Sequence, residues 1–576
     1  MKTNPILDVD FYKVSHKNMY VDGMTSMYSN LTPRNSKHFT FKSSMFDNKV
    51  VVFGIQVMVM NLVSNWNENF FTKPLEPILD EYQDVLKVCL GIPDADTSFW
   101  RDLYELGHLP ISIKALPEGI RCPIGVPVFT ITNTDDRFAW LVNYLETYLS
   151  TNIWKPITMA TNSYEYKRVI EKFNALTADT TDFIPWQVHD FSARGLGNSQ
   201  EWSTNSIAHL TSFSGTDTVQ AILGARHYYG ADLSVGGSVP ATEHSVMVIG
   251  INAIGGDKLE AEKQYLNKLL TELYPTGIVS VVCDSYDFWG VIEHNLSALK
   301  ETILTRDGKL VIRPDSGTPI DVICGTDSNV ENTKGFPNSF DKWSEWVAEN
   351  IDSRFSYELD AEEPMYDMTS KYKFNDEIYN VTYTPDLNRY DKTYYYVDNY
   401  GSTVSKCKFT KLVQTVESKG LLQSLWDIFG GTINSRCYKV LDLHIGIIYG
   451  DAITADVYEA ILTRMKSMGF SSDNLVVGVG GYTSQMLTRD TFSFAVKATH
   501  CVVDGQSIDV SKEPKTDSSK KSAKGLLSVM WNEVGELELR DQCTPIQEEL
   551  GCLVEVLRDS KLFNTTTLDE IRQRLN

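Results

Sequence analysis

Lys309-Leu310-Val311-Ile312-Arg313-Pro314-Asp315-Ser316-Gly317 reads as a buried strand that delivers an arginine and a carboxylate to its carboxyl end and then turns on Ser-Gly. In α/β folds ligands gather at the carboxyl ends of parallel strands, where the loops carry the chemistry. A guanidinium beside a carboxylate at such an end suits an anionic, metal-bound ligand. The same layout recurs along the chain. Apolar runs at 186–191, 210–213, 238–239, 279–283, 310–312, 445–448, 475–479 and 492–496 read as strands, and 257–274 and 457–468 have the spacing of connecting helices. Eight such strands predict a TIM-like α/β barrel with one active face.

The 576 residues are 42% apolar, enough for two or three cores. Against 53 basic residues stand 75 acidic ones, a net charge of −22, which disfavours nucleic acid and anionic membrane as partners. The clearest basic patch is small: Lys512, Lys515, Lys520, Lys521 and Lys524. Nine cysteines without a CxxC pair indicate neither a disulfide framework nor a zinc site, and a reduced, cytoplasmic setting fits them. The start of the chain lacks the apolar core of a signal peptide, and the apolar stretch near 50–63 is interrupted by Gly54, Gln56 and Asn61.

Residues 1–150 read as an α+β domain, with a β-rich segment at 109–132 broken by Pro117-Glu118-Gly119 and Pro123-Ile124-Gly125. Helical spacing follows at 140–148, then a turn at Lys155-Pro156 and a second helix over 164–173. The barrel is expected over 151–499, with 500–576 rejoining the first domain. Residues 325–437 are too long for a connection and read as an insertion with its own β structure, including a strand and turn at 394–401.

Two further segments carry chemistry. In Val239-Pro240-Ala241-Thr242-Glu243-His244-Ser245 the histidine after a proline turn is a candidate nucleophile, acid or base, or a satisfied core group. Asp284, after Val281-Val282-Cys283, can orient its imidazole or bind metal. Val477-Gly478-Val479-Gly480-Gly481-Tyr482 lets backbone N–H groups approach a phosphate, with Arg489 as a charged clamp.

Taken with Asn4-Pro5-Ile6-Leu7, Asp10-Phe11-Tyr12-Lys13-Val14-Ser15-His16, His189-Asp190-Phe191, Ser214-Gly215-Thr216-Asp217-Thr218, Asp284-Ser285-Tyr286-Asp287 and Leu487-Thr488-Arg489-Asp490, these segments resemble the nicotinamide phosphoribosyltransferases. Their order and spacing match across nearly the whole chain, apart from 324–437. The resemblance implies a type II phosphoribosyltransferase fold, an irregular α/β barrel beside a β-rich domain. It further implies synthesis of nicotinamide mononucleotide and pyrophosphate from nicotinamide and phosphoribosyl pyrophosphate, in NAD salvage. Magnesium as cofactor, ATP as coupling co-substrate and a homodimer with shared active sites come with it.

By that resemblance Phe191 and the partner's Tyr12 are the walls over the pyridine ring, with Asp10 beside them. Asp217 accepts a hydrogen bond from the substrate amide. Arg194, Arg313 and Arg489 bind pyrophosphate or the ribose phosphate, and Asp284 and Asp315 lie around magnesium and the ribose. Gly450 and Asp451 hold ribose hydroxyls, Gly480 and Gly481 cradle the mononucleotide phosphate, and Arg34, Lys497, Lys512 and Lys520 are peripheral phosphate or ATP contacts. His244 becomes phosphorylated when ATP is consumed. Gly446, Ala452, Ala193 and Tyr482 depart from the family pattern, which otherwise has an arginine, a glycine, a tyrosine and a glycine there.

Three rival readings meet difficulties in the same residues. A nicotinate-specific enzyme conflicts with Asp217, because an aspartate repels a substrate carboxylate. A non-catalytic barrel protein leaves His244, Asp284, Arg313, Asp315 and Arg489 together without a purpose, and a carboxylate-pair hydrolase leaves the arginines and glycines unexplained.

Overall fold

The computed structural model describes residues 4–40, 42–326, 331–332, 339–344, 346–347, 368–374, 377–383, 407–511 and 523–576. The chain is mixed α/β and forms two compact units. One comprises Met1–Val239, Tyr449–Glu459 and Leu475–Asn576, the other Pro240–Ile448 and Ala460–Asn474.

The first unit carries a 7-stranded sheet in the order Gln506–Asp509, Ala495–Val503, Met24–Thr32, Phe129–Asn133, Ile111–Ala115, Val554–Arg558, Lys561–Leu562. Neighbouring strands are antiparallel throughout. Leu31, Ile111, Ile113 and Phe129 come from this sheet and are fully buried in one cluster with Trp66, Trp100 and Trp140, the apolar burial that stabilises the unit. The expected β-rich segment is present as Ile111–Ala115, Arg121–Pro123 and Phe129–Asn133.

Two expectations fail here for identifiable reasons. The turn at Lys155-Pro156 does not form: one helix runs Glu146–Thr177 with Pro156 inside it. Proline removes a helical hydrogen bond, but Pro156 is buried against Gly54, where an added Cβ would lie 2.6 Å from the proline Cβ. The run at 492–496 is not a barrel strand either. Ala495 opens an antiparallel strand whose Val496 pairs with Leu31, and an alternating apolar pattern does not distinguish the two sheets.

Short parallel strands lie in the same unit. Val188–Asp190 pairs in parallel with Leu475–Val479, Val188 opposite Val477 and Asp190 opposite Val479. Single parallel bridges continue the run, Asp190 to Thr216 and Gly215 to Gly237. The expected strand at 210–213 is instead the end of the helix Ile207–Leu210 and a turn. These residues are buried on every side, so periodicity could not tell helix from strand. The strand expected at 238–239 shrinks to the isolated bridge at Gly237 before it.

The second unit holds the parallel strands Thr276–Val282 and Asp307–Arg313 and residues 445–448 of a third, with Val282 opposite Arg313 and Leu310 opposite Ile445. A bridge from Ala241 to Ser280 precedes them. Helices His244–Ile254 and Lys258–Lys268 connect Ala241 to the first strand; the second is capped by Asp257, which accepts the Glu260 N–H at 3.0 Å.

Residues 325–437 are the interval expected as an insertion. Its described residues include the antiparallel strands Met368–Phe374, Glu377–Tyr383 and Cys407–Lys411, over a small core of Trp343, Val347, Tyr372 and Val381. The strand and turn expected at 394–401 lie outside the described residues. Gly325 and Gly420 both have positive φ, and a Cβ on Gly420 would sit 2.1 Å from the Gly325 nitrogen. The chain therefore leaves and returns through one close backbone crossing. Among the described residues no helix is long and apolar enough to cross a membrane.

Candidate active site

In the second unit, strand ends and a helix start bring four predicted residues together. Thr276–Val282 leads directly to Asp284, and Asp307–Arg313 ends on Arg313, two residues before Asp315. His244 is the first residue of its helix. Its Nε2 lies 2.9 Å from Asp284 Oδ1, and its Nδ1 lies 3.9 Å from Asp315 Oδ2. The second oxygen of Asp284 accepts the Asp315 backbone N–H at 3.0 Å and the Ser316 hydroxyl at 2.8 Å. Arg313 donates to Asp315 at 3.1 Å. Asp284 is thus fixed from three directions, with a side chain 6% exposed, while the imidazole it holds is 47% exposed. A carboxylate on one ring nitrogen sets the tautomer and leaves the other nitrogen available.

Behind this cluster lies a residue the sequence reading passed over. Glu262, on Lys258–Lys268, is 1% exposed with both carboxyl oxygens unpartnered. Burial, reinforced by the charges of Asp284 and Asp287, pushes its carboxyl up to about 7. Nothing in a charged, helical stretch marks it as buried. Ser316 was equally unassigned, although it stands in the strand motif itself.

In the first unit the parallel strands Val188–Asp190 and Leu475–Val479 set the second cluster. Phe191 follows the former, and its ring lies where side chains on two glycines would be. A Cβ on Gly478 would come within 2.0 Å of the ring and one on Gly450 within 2.7 Å. Gly480 approaches the Phe191 backbone, its Cβ position 3.2 Å from the carbonyl oxygen. Gly450 and Gly480 therefore have a packing role the sequence did not disclose, and Gly478 is a shaping residue that was missed. Asp451 is exposed, and Ala452 adopts φ +52, a left-handed conformation that glycine takes without strain.

Asp217 lies beside the same strand. Its backbone N–H bonds the Asp190 carbonyl at 3.0 Å, its Oδ1 accepts the Ser238 hydroxyl at 2.5 Å, and His189 Nδ1 is 3.7 Å from that oxygen. Gly481 opens the helical turn Gly481–Ser484, in which Tyr482 stands. Arg194 is exposed, and Arg489 is exposed with Asp490 at 3.8 Å.

At the amino-terminal end Asp10 accepts the Thr147 hydroxyl at 2.8 Å, and Lys13, buried, pairs with Glu146. Tyr12 is 56% exposed. Its hydroxyl is held above the usual tyrosine range by partial burial and the charges of Glu146 and Asp10, against an opposing pull from Arg489. Arg34 donates to the Ser493 carbonyl at 2.7 Å, and Lys497 lies on Ala495–Val503 opposite Asn30. Lys512 and Lys520 lie outside the described residues. At the departure Gly446, the Lys309 side chain crosses the space a side chain would occupy, 3.3 Å from the Cβ position.

Among the described residues no group of three or more His, Cys, Asp or Glu is arranged to hold a metal by itself. Asp284 and Asp315 nevertheless suit magnesium, which binds through one or two carboxylates together with a ligand's phosphates rather than in an all-protein cage.

Comparison with known proteins places this geometry in context. Residues 186–351 and 400–560 match the family described as nicotinate phosphoribosyltransferase (NAPRTase). A protein of Acinetobacter baylyi named nicotinamide phosphoribosyltransferase is 38% identical over 582 residues, covering 100% of this chain and 97% of its own. Another of that name from Xanthomonas campestris pv. campestris is 28% identical, covering 99% and 97%. Among solved structures, human nicotinic acid phosphoribosyltransferase aligns over 98% of this chain and 92% of its own, with 12% identity and a TM-score of 0.47.

Proposed function

The chain belongs to the nicotinate phosphoribosyltransferase family, and we propose that it joins nicotinamide to phosphoribosyl pyrophosphate, giving nicotinamide mononucleotide and pyrophosphate for NAD salvage. The observation that carries the choice of substrate is Asp217, a carboxylate held by Ser238. An anionic acceptor favours an amide N–H and repels the carboxylate of nicotinate. Full-length similarity to two proteins named for the nicotinamide reaction supports the same choice.

In this reading Phe191 forms one wall of the pyridine site and Tyr12 of the partner subunit the other, so the active form is a homodimer, with Asp10 beside the ring. The pyridine nitrogen attacks C1 of the ribose as pyrophosphate leaves. Arg194, Arg313 and Arg489 balance the charge of the phosphates, Gly450 and Asp451 hold the ribose hydroxyls, and the backbone of Gly480 and Gly481 cradles the product phosphate. Arg34, Lys497, Lys512 and Lys520 are outer phosphate contacts. Asp284 and Asp315 would hold magnesium, which when bound would supply positive charge to the pyrophosphate.

His244 couples the reaction to ATP. With Asp284 accepting at Nε2, the lone pair lies on Nδ1, which takes the γ-phosphoryl group as ADP leaves. The fold in this proposal is an irregular α/β barrel of the type II kind. Eight of the cysteines, Cys122, Cys283 and Cys324 among them, are free thiols, which suits a cytoplasmic setting.

The test is a paired assay of nicotinamide and nicotinate with and without ATP. Turnover of nicotinamide at least about a hundredfold above nicotinate is expected, the discrimination a misplaced charge imposes. Equal rates would refute the role of Asp217. His244→Ala is expected to abolish ATP stimulation and leave basal synthesis, and unchanged ATP-driven turnover would refute the phosphohistidine.

A further inference from the structure

Asp217 does not stand alone. The segment that carries it is laced to both neighbours by backbone bonds: Asp217 N–H to the Asp190 carbonyl at 3.0 Å, Thr216 N–H to the Gly237 carbonyl at 2.9 Å, and Gly237 N–H to the Ser214 carbonyl at 2.9 Å. These bonds set His189 on one side of the Asp217 side chain and Ser238 on the other. Ser238 donates its hydroxyl to Oδ1. His189 is buried, its Nδ1 makes no hydrogen bond, and that nitrogen lies 3.7 Å from the same oxygen. The imidazole packs closely against Gly215, where a Cβ would be 2.4 Å from the ring. The Asp217 side chain is still 38% exposed.

We infer that Ser238 and His189 are positioning residues that hold the Asp217 carboxylate in one orientation for amide recognition. The inference rests on the reading of Asp217 given above and names the groups that make it selective. Ser238 holds Oδ1 by a hydrogen bond, and the His189 ring stands beside the same oxygen. A carboxylate left to rotate would lose orientation entropy on binding the amide; one already held does not. The effect belongs to ground-state binding of the pyridine, not to the chemical step, so it enters KM and leaves kcat.

The experiment measures kcat and KM for nicotinamide and nicotinate in the full-length protein and its Ser238→Ala, Ser238→Thr, His189→Leu and Asp217→Asn variants. Ser238→Ala is expected to raise KM for nicotinamide about tenfold, the factor one hydrogen bond to a charged group carries, with kcat within about twofold and with the preference over nicotinate reduced in proportion. Ser238→Thr, which keeps the hydroxyl, restores the KM. His189→Leu raises KM likewise; should it fail to fold, the Ser238 pair decides. An unchanged KM in Ser238→Ala, or a loss that Ser238→Thr does not restore, overturns the inference. Asp217→Asn separates the two levels: if it leaves the substrate preference intact, the reading of Asp217 itself has failed, whereas if it abolishes the preference while Ser238→Ala does not move it, only the positioning role has failed.

Discussion

At the scale of single residues, the site depends as much on absent side chains as on present ones. Gly478 is the clearest case. Its missing Cβ leaves room for the Phe191 ring, and Gly478→Ala would place a methyl 2.0 Å from that ring. Because the methyl forces the Phe191 ring, the proposed aromatic wall, aside, KM for nicotinamide is expected to rise at least about tenfold, with a stability loss of about 1–3 kcal/mol; kinetics and thermal melting measure both. Glu262 gives a second prediction. Its folded carboxyl titrates at about 7 against an ordinary 4.5, so between those values the native state keeps a proton that the unfolded state has released. Stability of the metal-free protein therefore falls as pH rises through that window, and the cost is complete above it. Glu262→Gln is expected to flatten this dependence and to gain on the order of 2–3 kcal/mol at pH 8. Denaturation of both forms at pH 5 and pH 8 decides, and parallel profiles would remove the claim. His244, Asp284, Arg313 and Asp315 were legible in sequence because each sits at a strand end or turn. Glu262, Ser238 and Gly478 were not, because burial and close approach are properties of neighbours distant in the chain.

At the scale of elements, the parallel strands at 188–190, 276–282, 307–313, 445–449 and 475–479 were legible from short apolar runs ending in glycine or charged residues. Those at 210–213 and 492–496 were misread, since a fully buried helical turn and an antiparallel strand present the same apolar composition. Pro156 shows the converse: a residue that breaks isolated helices stays within Glu146–Thr177 because tertiary packing encloses it. The insertion carries the prediction at this scale. Since Gly325 and Gly420 meet backbone to backbone, replacing residues 328–413 with a flexible linker of about ten residues is expected to leave the parallel strands and the His244–Asp284 pair folded. A circular dichroism spectrum with the helix and strand content of the remaining fold, together with the same response of turnover to ATP as the full-length protein, would bear this out; an unfolded product would show that the insertion supports the unit.

At the scale of the whole molecule, exposure of Tyr12 and Phe11 accords with the proposed sharing of the pyridine site between subunits. Tyr12→Ala and Phe191→Ala are each expected to inactivate, and mixing the two after reversible dissociation is expected to restore about a quarter of wild-type activity. Half the dimers are then mixed, each with one intact site of two. No recovery, or an active monomer in sedimentation, would remove Tyr12 from the partner's site. By itself the sequence determined the mixed α/β class, the residues at the strand ends and the kinship, because these depend on local pattern and on motifs that survive in linear order. Only the tertiary structure decided which strands pair, which glycines make way for Phe191, and how His189 and Ser238 come to flank Asp217. Such facts are set by contacts between segments far apart in the chain, and no local pattern of residues encodes the distance between them.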